Sequence, residues 1–140
     1  MGIKMIKISV CDDDEGQLTF FKQCFMEYNE KHKEKIEANF YQSVQSLLNE
    51  KKFSPDVYFL DIELQDGNGL KLAGKIRTRN SKIPIVFITS HEEFMPEAFH
   101  VHAYQYLNEK KNAQAVENVL NQLADYFSEQ NQIFSTLRLL

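Results

Sequence analysis

Three aspartates in a row, Asp12, Asp13 and Asp14, end an apolar run and open the stretch CDDDE, Cys11 to Glu15. Carboxylates suit the start of a helix, where they accept from free backbone amides and meet the positive end of the dipole. One cap needs one or two of them, by position Asp14 and Glu15, so three successive aspartates exceed that need. Another carboxylate, Asp61, ends a second apolar run in LDIELQDGNG. Buried after Tyr58, Phe59 and Leu60, it requires loop amides or a cation to remain ionised. If the two runs are neighbouring strands, Asp12, Asp13 and Asp61 converge, and like charges gathered there call for a counter-ion. Oxygen ligands in an open, wet setting suit Mg2+, which keeps waters for a phosphate. An aspartate beside such an ion can also attack phosphorus and form an acyl phosphate.

Two further strand ends bear on the same chemistry. Thr89 in FITSH is either a hydroxyl able to donate to a phosphoryl oxygen or simply a β-branched residue closing a strand. Tyr106 in AYQYL either fills the core or moves as the site changes charge. The remaining candidates lead elsewhere. His32, His91, His100 and His102 have no metal-ligand pairing, and Cys11 and Cys24 match no paired metal spacing. QDGNG lacks the length and the lysine of a P-loop. Where a flavin-binding domain needs a Ser/Thr/Gly-rich phosphate loop, this chain has acids.

The elements that must position these groups alternate between two hydrophobic periods. Lys4–Cys11, Ile36–Tyr41, Asp56–Asp61, the run IPIVFITS from Ile83 and Ala103–Leu107 are predicted strands. Between them, helices are predicted from Glu15 to about Lys33, from a Ser43 cap to about Lys51, from Leu70 to near Asn80 and over Glu92–Phe99. A fifth follows from Ala113 to about Ser128. Strands this apolar cannot face water, so helices must cover both sides of a parallel sheet, a doubly wound α/β arrangement. In such folds a site forms beyond the carboxyl ends of the strands, where strand order reverses.

Bulk properties set the class. One domain is the simplest division of 140 residues, with 43% hydrophobic and 26% charged residues typical of a globular protein. A formal charge of −4 supplies no global field for nucleic acid or anionic lipid. No run approaches the roughly 18 apolar residues of a membrane span, and MGIKMIKISV enters a strand with no cleavage site. A reducing cytoplasmic location, without a disulfide, is expected.

Taken together, CDDDE, FLDIEL followed by NGL, IPIVFITS and AYQYL resemble the receiver domain of two-component response regulators, in order and over about residues 4 to 128. The chain is most similar to receivers of LytTR-type transcriptional regulators. The resemblance implies a flavodoxin-like (βα)5 fold with a doubly wound five-stranded parallel sheet. It implies Asp61 as phosphoacceptor, with Mg2+ held by Asp12, Asp13, Asp61 and the backbone carbonyl of Glu63. It further implies Thr89 on the phosphoryl group, Tyr106 as switch aromatic and a sensor histidine kinase as donor. Such a module is a phosphoacceptor rather than an enzyme, with at most weak self-phosphorylation or autodephosphorylation.

One stretch departs from that pattern. After Tyr106, receivers of this kind carry two residues, then Lys and often Pro, where this chain has Glu109 and Lys110. A carboxylate in place of the lysine reverses the sign: at about 5 Å and an effective dielectric near 20, like charges cost roughly 3 kcal/mol. Three arrangements stay open. Glu109 turns outward while Lys110 reaches the pocket through a bulge, Glu109 faces the pocket and joins the metal site, or all these charges are solvated. The second would make the chain a phosphorylation-independent interaction or dimerisation module. Beyond the 1–128 domain, residues 129–140 carry Ile133, Phe134, Leu137, Leu139 and Leu140. Such an apolar end suits a continuing chain, a packed helix extension or a homodimer contact. LytTR-type regulators continue into a DNA-binding effector domain, absent here, so contact with DNA is expected only through such a domain.

Overall fold

The computed structural model describes residues 5–108 and 112–139. Glu109 and Lys110, on which the departure turns, lie outside the described residues. Five parallel strands form the main sheet: β1 (Met5–Cys11), β2 (Lys35–Tyr41), β3 (Val57–Asp61), β4 (Ile85–Ile88) and β5 (Gln105–Leu107). Their spatial order is β2-β1-β3-β4-β5, the doubly wound arrangement expected from the sequence. Strand order reverses between β1 and β3, which carry the aspartates.

The central strands are apolar on both sides because each side has its own core. Ile8 and Val10 of β1, Phe59 of β3 and Ile88 of β4 pack with α1 (Glu15–Lys31) and α5 (Ala113–Leu139). Leu60, Ile85 and Phe87, one position out of phase, pack with α2 (Val44–Leu48), α3 (Gly69–Arg79) and α4 (Met95–His100). This is strand period two read from both faces. The helical stripe Leu18, Phe21, Phe25 and Tyr28 is buried as its spacing predicts. Phe21 and Phe25 both meet the Phe59 ring edge-on, at 5.8 and 5.7 Å between centroids, and so seat α1 over the strand that ends in Asp61.

Several details differ from the sequence expectation. α2 stops at Leu48 rather than near Lys51, because the Glu50 carboxylate turns back to accept from the Lys51 and Lys52 amides. The helix expected over Glu92–Phe99 starts as a 3-10 turn, Glu92–Phe94, and becomes α4 only at Met95, with Pro96 in its first turn. α5 passes through Ser128 and runs to Leu139, no Gly or Pro interrupting it. Finally, the loop after Asp61 contains an antiparallel hairpin, Glu63–Leu64 with Gly67–Asn68. No helix among the described residues is long and apolar enough to cross a membrane.

The turn between α4 and β5 is held from outside by α3. His102 has a positive φ of 56° and closes α4 with hydrogen bonds from His102 N to Phe99 O and from Ala103 N to Ala98 O. Arg77 donates to the carbonyls of Val101 (2.9 Å), His102 (2.9 Å) and Ile83 (2.5 Å). Its guanidinium thus ties α3 to the entry of β4 and the exit of α4. Arg77→Ala is expected to lower stability by about 2–3 kcal/mol, from charged hydrogen bonds lost by partly buried carbonyls. Arg77→Lys should recover little, since one ammonium cannot span three carbonyls. Urea denaturation of both variants measures it.

Candidate functional site

The sheet register brings the predicted carboxylates together. Leu60 of β3 is the partner of Cys11 of β1, so Asp61 and Asp12 are the next residues along adjacent strands. Asp12 and Asp61 are 1% and 3% exposed, and Asp13 is half-buried. One carboxylate oxygen from each lies within 4.8 Å of the other two. The aspartates split the two duties of CDDDE. Asp14 caps α1, accepting from Gly16 N at 2.8 Å. Asp12 Oδ1 accepts from Asp14 N at 2.9 Å, which turns its carboxylate back over the strand end.

The hairpin after β3 forms the second wall. The Glu63 amide donates to Asp61 Oδ1 at 3.2 Å, and the Gln65 amide donates to Asp13 Oδ2 at 3.0 Å. Asn68 accepts from Leu70 N at 2.7 Å and starts α3. Directly beneath, the buried Cys11 thiol is pushed up to about 12, mainly by burial and then by the field of Asp66, Asp12, Asp61 and Asp13. The thiol therefore stays neutral and contributes packing, its Sγ 3.5 Å from the Ser43 carbonyl.

The third wall belongs to β4 and β5. Asp61 is partnered by Ile88, so Thr89, 1% exposed, follows at the adjacent strand end. Thr89 N donates to Leu107 O at 3.0 Å, and Thr89 Oγ1 accepts from His91 N at 3.1 Å. Tyr106 is half-buried and donates its hydroxyl to the His91 carbonyl. Burial raises the Tyr106 pKa. Thr89 and Tyr106 thus meet through the His91 backbone, whose amide donates to one and whose carbonyl accepts from the other, a pairing that neither residue type announces alone.

The sequence marks His91 only as an unpaired histidine, yet it links the walls. Its Nε2 lies 3.5 Å from Glu63 Oε2 and its Nδ1 lies 3.3 Å from Glu93 Oε1. Position beside Thr89 is the available signal, but the partner sits in the hairpin, 28 residues earlier in the chain. Of the other histidines, His32 stacks on Tyr28, His100 ends α4 and His102 sits in the α4–β5 turn.

Three carboxylates are a hard, all-oxygen donor set suited to Mg2+ rather than to Zn2+ or copper. Oxygens on opposite sides of Mg2+ stand about 4.2 Å apart. A spread within 4.8 Å reaches that with small side-chain rotations, so the residues fit the ion.

The response regulator receiver domain family matches residues 8–121. An uncharacterized response regulatory protein of Yersinia pestis is 27% identical over 134 residues, covering 96% of this chain and 55% of the relative. The sensory transduction protein LytR of Staphylococcus haemolyticus is 32% identical over 95 residues, covering 68% of this chain and 36% of the relative. The chain thus spans little more than half, or less, of these relatives. Among solved structures, the response regulatory domain of mrkE from Klebsiella pneumoniae superposes with a TM-score of 0.75 at 23% identity, over 89% of this chain and 99% of that one. At that identity the likeness speaks for the fold.

Proposed function

The chain belongs to the response regulator receiver domain family, and we propose that it takes a phosphoryl group on Asp61 with Mg2+ in the acidic pocket. The observation that carries this reading is the convergence of Asp12, Asp13 and Asp61 where strand order reverses. A sensor histidine kinase is the donor. An Asp61 carboxylate oxygen attacks the phosphorus of a phosphohistidine, an O–P bond forms, the P–N bond breaks and the imidazole leaves. Asp12, Asp13, Asp61 and the Glu63 carbonyl would hold Mg2+, which supplies positive charge against the carboxylates and the phosphoryl oxygens. Hydrogen bonds from the hairpin amides orient Asp13 and Asp61. Thr89 donates to the new phosphoryl oxygens and, through the His91 backbone that it shares with Tyr106, passes the change to β5. The output is an attached effector, of the DNA-binding, transcriptional kind that LytTR-type regulators carry, in the cytoplasm. Residues 1–128 are the receiver proper, and 129–140 are its C-terminal extension or the start of a linker to that effector, with α5 continuing into them as far as Leu139.

Glu109 favours a second reading, an acidic-pocket module that associates without the phosphoryl switch. Mg2+ and a small phosphodonor, followed by intact-mass analysis and light scattering, separate the two. Under the first, the protein gains one phosphoryl group, mapped to Asp61, and changes its association state. Bound Mg2+ with unmodified Asp61 overturns the first and supports the second.

A further inference from the structure

Resting on the receiver reading, we infer that Asp66 is a positioning residue that couples cation binding in the acidic pocket to the seat of α2. Asp66 is exposed at the tip of the hairpin. Its Oδ1 accepts from Val44 N at 2.9 Å and its Oδ2 from Gln45 N at 3.1 Å. Both carboxylate oxygens are thus committed to the first turn of a helix on another element. Those two bonds hold the Asp66 pKa below the usual carboxylate range, so the strut is charged at neutral pH.

The adjoining hairpin residues make the link to the pocket. Gln65, immediately before Asp66, gives its amide to Asp13 Oδ2. Gly67, immediately after, packs so close to α2 that a Cβ there would stand 3.1 Å from Val44 Cγ2. A continuous path therefore runs from the Asp13 carboxylate through the Gln65 amide and the Asp66 carboxylate to the Val44 and Gln45 amides. α2 has five residues and, besides the packing of Val44, Leu47 and Leu48 in the core, its own Ser43–Ser46 capping box and the long Cys11 contact to the Ser43 carbonyl. A helix so short has little stability of its own, and its order depends on such outside ties. Charge taken up at Asp13 pulls on the Gln65 amide, and the strut conveys that displacement to α2. By reciprocity, releasing α2 must weaken the cation site by the same factor. Thr89 and Tyr106 occupy the opposite wall, so this is a separate route out of the pocket.

The test uses the whole chain, with Mg2+ affinity from calorimetry, since the sequence contains no Trp for intrinsic fluorescence. Hydrogen exchange at the Val44 and Gln45 amides is followed with and without Mg2+. Expected for the natural chain is slower exchange at both amides when Mg2+ is bound. Asp66→Ala should abolish that response and weaken Mg2+ binding about fivefold, within the usual range of coupling energies. Asp66→Asn removes the charge but keeps one acceptor oxygen, and should fall between the two. Equal weakening in both variants, without a Mg2+ response at α2 in the natural chain, would reduce the effect to loss of one negative charge and overturn the coupling. Unchanged affinity in Asp66→Ala would overturn it as well. Absence of Mg2+ binding by the natural chain sinks the receiver reading itself, a result distinct from failure of the strut.

Discussion

Gly69→Ala is expected to destabilise the domain by about 3 kcal/mol or more, the largest single-residue effect on folding that the site's surroundings predict. A Cβ at Gly69 would lie 2.1 Å from the Asp61 carbonyl oxygen, 2.9 Å from the Asp61 carbonyl carbon and 3.0 Å from Ile62 Cα. All three are backbone atoms, so no side chain can rotate away. The Gly69 amide also donates to Ile62 O at 2.9 Å, which pins the start of α3 against the end of β3. Gly69 has no positive φ, so its backbone dihedrals do not require glycine. The need is for space. Overpacking a well-filled site costs about 1–3 kcal/mol, and a rigid obstacle belongs at the upper end of that range or past it. Relief requires α3 to move off the strand that carries Asp61, so weaker Mg2+ binding should accompany the lower urea midpoint. Gly74 on the same helix is the control. A Cβ added there would meet nothing within 4 Å, and Gly74→Ala should stabilise by up to about 1 kcal/mol through helix propensity. If Gly69→Ala unfolds at the natural midpoint, the close approach of α3 to Asp61 is wrong.

Asp61→Asn should abolish phosphoryl uptake altogether and, without Mg2+, stabilise the fold. Asp12, Asp13 and Asp61 hold like charges within 4.8 Å of one another. At an effective dielectric near 20 each such pair costs roughly 3 kcal/mol. An amide at position 61 removes two of the three repulsions and keeps an oxygen for the Glu63 amide, which donates to Asp61 Oδ1 at 3.2 Å. Solvent around half-buried Asp13 and the polar partners that Asp12 and Asp61 already have offset much of the repulsion. A net gain of about 1–3 kcal/mol is therefore expected. Thermal unfolding tests this in a paired way. The gain should shrink as Mg2+ rises, because the cation stabilises the natural triad more than the depleted one. A variant less stable than the natural chain in the absence of Mg2+ would mean that hydrogen bonds to Asp61, and not crowded charge, dominate the pocket.

Alternation of hydrophobic periods was enough to predict the strands, the helices and the doubly wound arrangement, because burial on two faces makes the central strands predominantly apolar. The same logic located Asp12, Asp13 and Asp61, since a carboxylate after an apolar strand is costly wherever the chain goes next. Glu109 stood out only against the pattern of the receivers that the chain resembles, counted from Tyr106. Helix ends were less legible: a carboxylate folding onto its neighbours' amides ended α2 early, and nothing interrupted α5 at Ser128.

What only the tertiary structure decided are the partnerships between residues far apart in the chain. Adjacency of β1 and β3 turned separate acids into a triad, and the register of β3 with β4 set Thr89 beside them. His91 bridging to Glu63, Asp66 reaching across to α2 and Gly69 lying on the Asp61 carbonyl leave no trace in local spacing. The physical reason is range. Burial preference is a property of each residue and shows as periodicity, whereas a hydrogen bond or a close approach is a property of a pair, defined once folding has brought both members together.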